Sequence, residues 1–386
     1  MRRLAIALGV LAILALVVGG CSDSAAKHTL VDYGEQPVIQ QDASLPNEPP
    51  AQLVNYFSSL EHLQPARQAL RIPTGIKKIF LCDDQFLIQA NSNDVWCLDA
   101  KTLVVEWKWM GIVGELSYDP AWNPFTFYVV ARDRMYALSR QTGEERWRFD
   151  LPFSPSCAPV AHDYYILMGS WDGRVYCCVD DITTARVAWY HSIGAPVRST
   201  PMVANIVDNT WFHVVADNGS YSKYLPNRTK NVPHRSQVTI GAGCRGPMAH
   251  DSKLAYIASL DYNVYAFHPI EGVRWVVRTE DECNRGAFLQ DGTLFVRNSK
   301  QMIALKAENG DTMWVDKSLD RFLVKLKRYH YFVSTDGRLV GLSNKDWQKM
   351  WSIDLKPFDF QFYSETLPYL YVATKDGYIM SYEEKF

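Results

Sequence analysis

The chain has 386 residues and nearly balanced charge, with 40 Lys and Arg against 42 Asp and Glu. This balance offers no basic face, so we exclude a nucleic-acid-binding protein. The 12 Trp, 21 Tyr and 17 Phe suit half-buried β surfaces, and the body of the chain has no low-complexity tract that would predict disorder.

The first twenty residues predict an export signal. Arg2 and Arg3 precede an apolar run of 15 residues, and Gly19 and Gly20 precede Cys21. The run is short for a spanning helix, which needs about 20 residues. The segment VVGGC resembles the lipobox of bacterial lipoproteins, which implies cleavage after residue 20 and lipidation of Cys21. An uncleaved N-terminal anchor helix is the alternative.

The next two segments connect this signal to the folded body. Residues 21–50 are polar, Pro-rich and aperiodic, which predicts a flexible tether. Residues 51–65 place apolar side chains at helical spacing, which predicts a short helix. The remaining sequence, 66–386, is expected to form a single repeat domain.

An internal repeat of about forty residues runs through that domain. Segments such as ALSRQTGEERW (137–147) and ALKAENGDTMW (304–314) end in a tryptophan. These tryptophans are Trp107, Trp147, Trp189, Trp275, Trp314 and Trp351, separated by 40, 42, 86, 39 and 37 residues. The gap of 86 spans two periods, so one repeat has lost its tryptophan.

A turn marker precedes each repeat end, and together these turns predict eight units. They lie at Asp94, Asp133, Asp172, Asp217, Asp261, Lys300, Asp336 and Asp376. Short apolar or alternating segments flank each turn, which indicates strands joined by tight hairpins. Each unit therefore reads as four antiparallel strands, and a ring of such sheets buries faces that a single sheet leaves exposed.

The two ends of the chain are expected to meet in the last blade. The eighth unit stops at Phe386, after its third strand, whereas residues 66–72 are strand-compatible and lack a unit of their own. The predicted fold is all-β: an eight-bladed β-propeller of four-stranded antiparallel blades, with the last blade closed by an N-terminal strand.

The repeat resembles the tryptophan-docking motif A-x-D-x-x-T-G-x-x-x-W of the PQQ-like (quinoprotein) propeller superfamily. ALSRQTGEERW matches it except at Ser139, which replaces Asp. The resemblance implies that each tryptophan docks against the neighbouring blade. One branch contains PQQ-dependent alcohol dehydrogenases with a vicinal disulfide, but Cys177 and Cys178 lie in a strand context that predicts two structural cysteines. The other branch is the BamB family of outer-membrane assembly lipoproteins. The signal, the lipobox, the length and the repeat count of this sequence resemble those of that family.

Few residues suggest chemistry. Arg198, Arg245 and Arg285 stand at the start of the first strand in consecutive units, so they either form an anion site at the channel mouth or pair with local carboxylates or carbonyls. No metal-ligating pattern and no cofactor motif is recognisable. Residues 224–235 form a polar, basic loop that is either a partner contact or a simple insertion. The sequence leaves undecided whether Cys244 and Cys283 form a disulfide.

The sequence thus predicts a non-enzymatic scaffold rather than an enzyme. The resemblance to BamB implies protein partners in the bacterial cell envelope, such as a BamA-like barrel-assembly protein. It also implies a lipid-anchored monomer within a complex, at the outer rather than the inner membrane. The alternative is a propeller that binds or senses a small ligand, either an anion or a quinone.

Overall fold

A computed structural model describes residues 50–67, 69–206, 209–225, 236–362, 364 and 366–385. The predicted signal, Cys21, the tether up to residue 49 and loop residues 226–235 lie outside this part of the chain. Among the described residues, no helix has the length and apolar character needed to cross a bilayer.

The N-terminal segment is mostly turns rather than the helix predicted for 51–65. Helix α1 covers only Ala51–Val54, and strands β1 (Leu63–Pro65) and β2 (Leu70–Arg71) follow. Between α1 and β1, amide groups bond to carbonyls three residues earlier, as in the bond from Leu60 N to Phe57 O. This spacing keeps Phe57 and Leu60 on one side, where they join the core at the last blade. Successive turns therefore explain the helix-like spacing of the apolar residues, because hydrogen bonds between residues three apart also place these side chains on one face.

The first four blades each contain four antiparallel strands. Their strands are β3 (Ile76–Cys82), β4 (Gln85–Ala90), β5 (Val95–Asp99), β6 (Val105–Trp109), β7 (Ala121–Trp122), β8 (Thr126–Ala131), β9 (Arg134–Ser139), β10 (Glu145–Asp150), β11 (Val160–His162), β12 (Tyr165–Gly169), β13 (Arg174–Asp180), β14 (Ala185–Ser192), β15 (Met202–Ile206), β16 (Asn209–Val215), β17 (Ser220–Tyr224) and β18 (Ser236–Thr239).

Blades five to seven repeat this arrangement, and the eighth has three strands of its own. Their strands are β19 (Ala249–His250), β20 (Ala255–Ala258), β21 (Asn263–His268), β22 (Gly272–Arg278), β23 (Ala287–Gln290), β24 (Thr293–Arg297), β25 (Met302–Lys306), β26 (Thr312–Asp316), β27 (Leu319–Lys325), β28 (Tyr329–Ser334), β29 (Arg338–Ser343), β30 (Lys349–Asp354), β31 (Phe360–Phe362), β32 (Leu370–Ala373) and β33 (Tyr378–Glu384).

The eighth blade is closed by the N-terminal segment, which confirms the predicted joining of the chain ends. Strand β33 pairs with β32 on one side and with β1 and β2 on the other. Leu63 stands opposite Glu384, and Leu70 stands opposite Ile379. The closing strand begins three residues before the predicted start at residue 66 and is interrupted between Pro65 and Leu70. All eight predicted blades are present, so the all-β propeller fold is confirmed.

The repeat tryptophans lie between successive blades. Trp107 Nε1 donates to the carbonyl of Arg140 at 2.8 Å, and Trp275 Nε1 donates to the carbonyl of Ala307 at 3.1 Å. Gly143 and Gly310, from the next blade in each case, approach these indoles so closely that a Cβ would overlap them. Trp189, Trp314 and Trp351 likewise have aromatic neighbours in the following blade, which are Tyr224, Trp347 and His62. The indoles thus connect one sheet to the next.

The seven cysteines in the described part of the chain are buried and unpaired. Cys244 and Cys283 therefore do not form the disulfide that the sequence left open, and burial raises the pKa of each thiol to about 11. Cys177 and Cys178 belong to different core clusters, because adjacent strand residues point to opposite faces of the sheet. They are two structural cysteines, as predicted.

Candidate functional site: the central channel

The first strands of the blades surround a central channel. Strand β7 contacts β11, β11 contacts β15, β15 contacts β19, β19 contacts β23, and β31 contacts β3. Side chains of these short strands, and of the segments that enter them, therefore face a common space around the propeller axis. This is the place where the repeat brings together residues that are far apart in sequence.

Two cavities lie in this space. The first, of about 650 Å³, is bounded by blades two to five and includes Arg198 and Arg245 in its wall. The second, of about 470 Å³, is bounded by blades one, two, seven and eight and includes Arg321. Asp119, Pro120 and Trp122 line both cavities. We call them the blade 2–5 cavity and the blade 7–2 cavity.

Arg198 and Arg245 share one carboxylate at the blade 2–5 cavity. Arg198 Nε and Arg245 Nη1 each lie 2.5 Å from an oxygen of Asp217, one on Oδ2 and the other on Oδ1. Asp217 belongs to the hairpin turn between β16 and β17, so the turn marker of blade four holds two guanidinium groups from successive blades. Both donors are satisfied, and the group keeps one excess positive charge.

Arg285 lies with a different set of charges. Its Nη2 is 3.5 Å from Asp320 Oδ1, and Arg297 Nε is 3.6 Å from the same oxygen. The structure therefore brings together Arg198 and Arg245, whereas Arg285 pairs with a carboxylate three blades away from Asp217. Each of the three arginines has a local carboxylate, and two of them line a channel cavity.

Two further arginines beside Asp320 were not singled out in the sequence. Arg321 Nη2 donates to Gln361 Oε1 at 2.8 Å. Burial lowers the pKa of Arg321, Asp320 acts in the opposite direction, and the positive charge of Arg285 lowers it further. The sequence did offer a signal for Arg321, because the pair Asp320–Arg321 stands at the start of the first strand of a blade, as the other channel arginines do. Arg297 ends a second strand, where the repeat gives no such signal.

One carboxyl group faces both cavities. Burial raises the pKa of Asp119, and Lys78 acts in the opposite direction. Among the residues that the structure describes, no group of three or more His, Cys, Asp or Glu side chains is placed to hold a metal ion. The channel is thus lined by arginines, a few carboxylates and apolar residues that include Trp122.

An exposed tryptophan lies at the rim of the blade 2–5 cavity. Trp171 occupies the hairpin between β12 and β13 and is 54% exposed. The guanidinium carbon of Arg198 lies 5.8 Å from its ring centroid, within cation–π range. We call Trp171, Arg198, Asp217 and Arg245 the Trp171 rim.

Comparisons with known proteins agree with this architecture. Residues 131–224 match the family described as outer membrane protein assembly factor BamB. No protein among the curated sequences compared with the chain matches it.

Three solved structures illustrate the fold. BamB from Moraxella catarrhalis is 14% identical, with a TM-score of 0.65 over 83% of this chain and 97% of that chain. Quinohemoprotein alcohol dehydrogenase from Comamonas testosteroni is 11% identical, with a TM-score of 0.60 over 84% of this chain and 77% of that chain. Sqt1 from Saccharomyces cerevisiae is 8% identical, with a TM-score of 0.62 over 83% of this chain and 98% of that chain. Such low identities show the fold alone. The chain is therefore an eight-bladed β-propeller that is similar in fold to these proteins, with a match to the BamB family model over residues 131–224.

Proposed function

We propose that this protein is a non-enzymatic, lipid-anchored scaffold that binds protein partners in the bacterial cell envelope, as an assembly factor similar to BamB. The observation that carries the proposal is the exposed Trp171 on a rigid hairpin, with two arginines fixed beside it. Trp171 offers a large exposed aromatic surface that a protein partner can bury, and tryptophan is enriched among the residues that dominate binding energy.

The Trp171 rim has the composition of a protein-binding hot spot. Tryptophan and arginine dominate the energetics of many interfaces, because they combine large apolar area with directed hydrogen bonds. Asp217 holds Arg198 and Arg245 in place before any partner binds. Such preorganisation lowers the entropy cost of association. The partner that fits is a protein segment with apolar and acidic side chains, such as a surface of a BamA-like barrel-assembly protein.

The proposed anchor rests on the sequence. Lipidation of Cys21 would leave residues 22–49 between the lipid and the first described residues. We propose that the anchored propeller works on the periplasmic side of the outer membrane.

The contact is tested by crosslinking in intact envelopes, followed by purification of the full-length protein. The native chain is expected to recover barrel-assembly components, and the Trp171→Ser variant to recover at least tenfold less. The control is Phe125→Ser, because Phe125 is 68% exposed in the turn between β7 and β8, on the opposite face of the ring. Equal recovery by all three proteins would exclude the Trp171 rim as the contact.

The anchor needs its own test. Labelled palmitate should enter the native protein and not the Cys21→Ala variant, and separated membranes should show the native protein with the outer membrane. If the native chain takes up no label, or if the variant fractionates identically, the lipid anchor is wrong whatever the crosslinking shows.

A further inference from the structure

The channel carries a second group of charges that its own residues leave unbalanced. Arg285, Arg297 and Arg321 lie around Asp320, and we call these four residues the blade 6–7 cluster. The guanidinium groups of Arg285 and Arg297 lie at the carboxylate of Asp320, and that of Arg321 is near enough to act on the same charges, so the four residues carry two excess positive charges. The distances from Asp320 Oδ1 to Arg285 Nη2 and Arg297 Nε are 3.5 and 3.6 Å, longer than a good hydrogen bond.

Arg297 is the least satisfied member of this cluster. Its side chain is only 8% exposed. Its Nη1 donates to the carbonyl of Asn298 at 2.6 Å, but its Nε has no hydrogen-bond partner among the described residues. Burying a charged donor without an acceptor is costly, so a site of this kind is completed when an anion supplies one.

Arg321 belongs to the cluster and also to the wall of a cavity. Its Nη2 bonds to Gln361, whose own Nε2 donates to the carbonyl of Phe358 at 3.0 Å, so the amide is held in one orientation. Arg321 also lines the blade 7–2 cavity, of about 470 Å³. The rest of that wall combines apolar and aromatic side chains, among them Phe80, Trp122, Phe360 and Phe362, with the carboxyl groups of Asp119 and Asp359. A ligand with an acidic head at the cluster therefore has room for an apolar body beside it.

The Trp171 rim gives an internal comparison. There, two guanidinium groups bond directly to the two oxygens of Asp217 at 2.5 Å, and one positive charge remains. In the blade 6–7 cluster one more arginine is present, the contacts to the carboxylate are longer, and a buried donor is unpaired. Of the two groups, the blade 6–7 cluster is the one with donors left for an added oxyanion.

We infer that the blade 6–7 cluster binds the phosphate group of a small organic molecule whose apolar body occupies the blade 7–2 cavity. A phosphate monoester carries a charge of about −1.5 to −2 at neutral pH. This charge matches the excess at the cluster, and the planar donor forks of arginine suit phosphate oxygens. The site goes beyond the proposed scaffold function, since it needs no protein partner.

Titration calorimetry on the full-length protein in detergent micelles tests the site. Phenyl phosphate is expected to bind at one site per chain, and inorganic phosphate at least tenfold more weakly because it lacks the apolar body. Phthalate, a dicarboxylate of similar size, should also bind at least tenfold more weakly. No binding of phenyl phosphate, or tighter binding of phthalate, would overturn the assignment.

Variants separate a binding role from a structural one. Arg285→Gln and Arg321→Gln should each weaken phenyl phosphate binding at least tenfold, whereas Asp320→Asn should strengthen it because it removes the competing negative charge. Arg274→Gln is the matched control, because Arg274 pairs with Glu271 on an outer strand. A merely structural cluster would lose stability in all three channel variants, and Asp320→Asn would then bind no more tightly, which would refute the inference.

Discussion

The indole of Trp147 donates its Nε1 hydrogen to Oδ1 of Asp180 at 2.9 Å, which connects the outer strand of blade two to the third strand of blade three. The same carboxylate accepts bonds from the Tyr128 hydroxyl and the Ile182 amide, both at 2.8 Å. A buried charge is tolerated when its acceptor sites are filled in this way. One aspartate thus fixes the position of a docking tryptophan from the neighbouring blade.

Removing this carboxylate should be costly. Asp180→Ala leaves three donors without their acceptor in a site that is 4% exposed, so we expect a loss of roughly 3–5 kcal/mol in the free energy of unfolding. Asp180→Asn keeps one carbonyl oxygen and should cost less. Urea unfolding measures both variants, and an Asp180→Ala protein as stable as the native one would contradict the role of Asp180 in joining the blades.

The glycine that covers Trp107 should not tolerate a side chain. Gly143 has a φ of +70°, and a Cβ there would overlap the indole. Gly337 is the matched control, because its φ is +77° and nothing lies within 4 Å of its added Cβ. Both alanine variants carry a left-handed backbone cost of about 1–2 kcal/mol, and Gly143→Ala should add about 1–3 kcal/mol from the clash. Equal unfolding free energies for the two variants would show that the indole can move aside.

Stability should fall as the pH drops below about 6.5. Burial lowers the pKa of His213 to about 3 and that of His330 to about 4, so both are neutral in the folded state. Unfolded histidines take up protons below their ordinary pKa, and the unfolded state therefore gains stability as pH falls through this window. Each buried histidine contributes a slope of up to about 1.4 kcal/mol per pH unit.

Urea unfolding between pH 7 and pH 5 measures that slope, at values where few carboxylates titrate. His213→Gln should reduce it, whatever the variant does to stability at pH 7. An equal slope in the native and His213→Gln proteins would show that His213 is protonated in the folded state as well.

The side chain of Glu384 connects the last strand, β33, to blade seven. Its Oε1 accepts the Tyr331 hydroxyl at 2.8 Å, and its Oε2 accepts the Arg328 amide at 2.8 Å. Glu384→Ala leaves both donors unpaired, so we expect it to lower the free energy of unfolding by about 2–4 kcal/mol. Glu383→Ala is the control, because that side chain makes one part-buried bond to Gln64. Urea unfolding measures both variants, and a Glu384→Ala protein as stable as the native one would argue against this connection between the last two blades.

The blade count was predictable because it depends on local patterns. Each hairpin turn and each closing tryptophan recurs at a spacing that only the repeat explains, and the strands between them alternate or run apolar. The segment before the first blade was less predictable. Phe57, Leu60 and Leu63 fit a helix in sequence, but the chain there follows successive turns, since packing against Phe358 and Tyr382 decides its path.

The arginines show the limit of the sequence. It placed Arg198, Arg245 and Arg285 at equivalent points of consecutive blades, but their partners lie on other elements. Asp217 comes from a hairpin turn, and Asp320 starts a strand in the following blade, so only the closed ring decides which guanidinium meets which carboxylate.

By itself, the sequence determined the number of blades, the strand pattern and the tryptophans between sheets, because these follow from hydrophobic periodicity and turn chemistry within each repeat. The tertiary structure alone decided the two channel cavities, the shared carboxylate of Asp217 and the unpaired Nε of Arg297. Such features depend on distances between residues in different blades, which are set only when the ring closes.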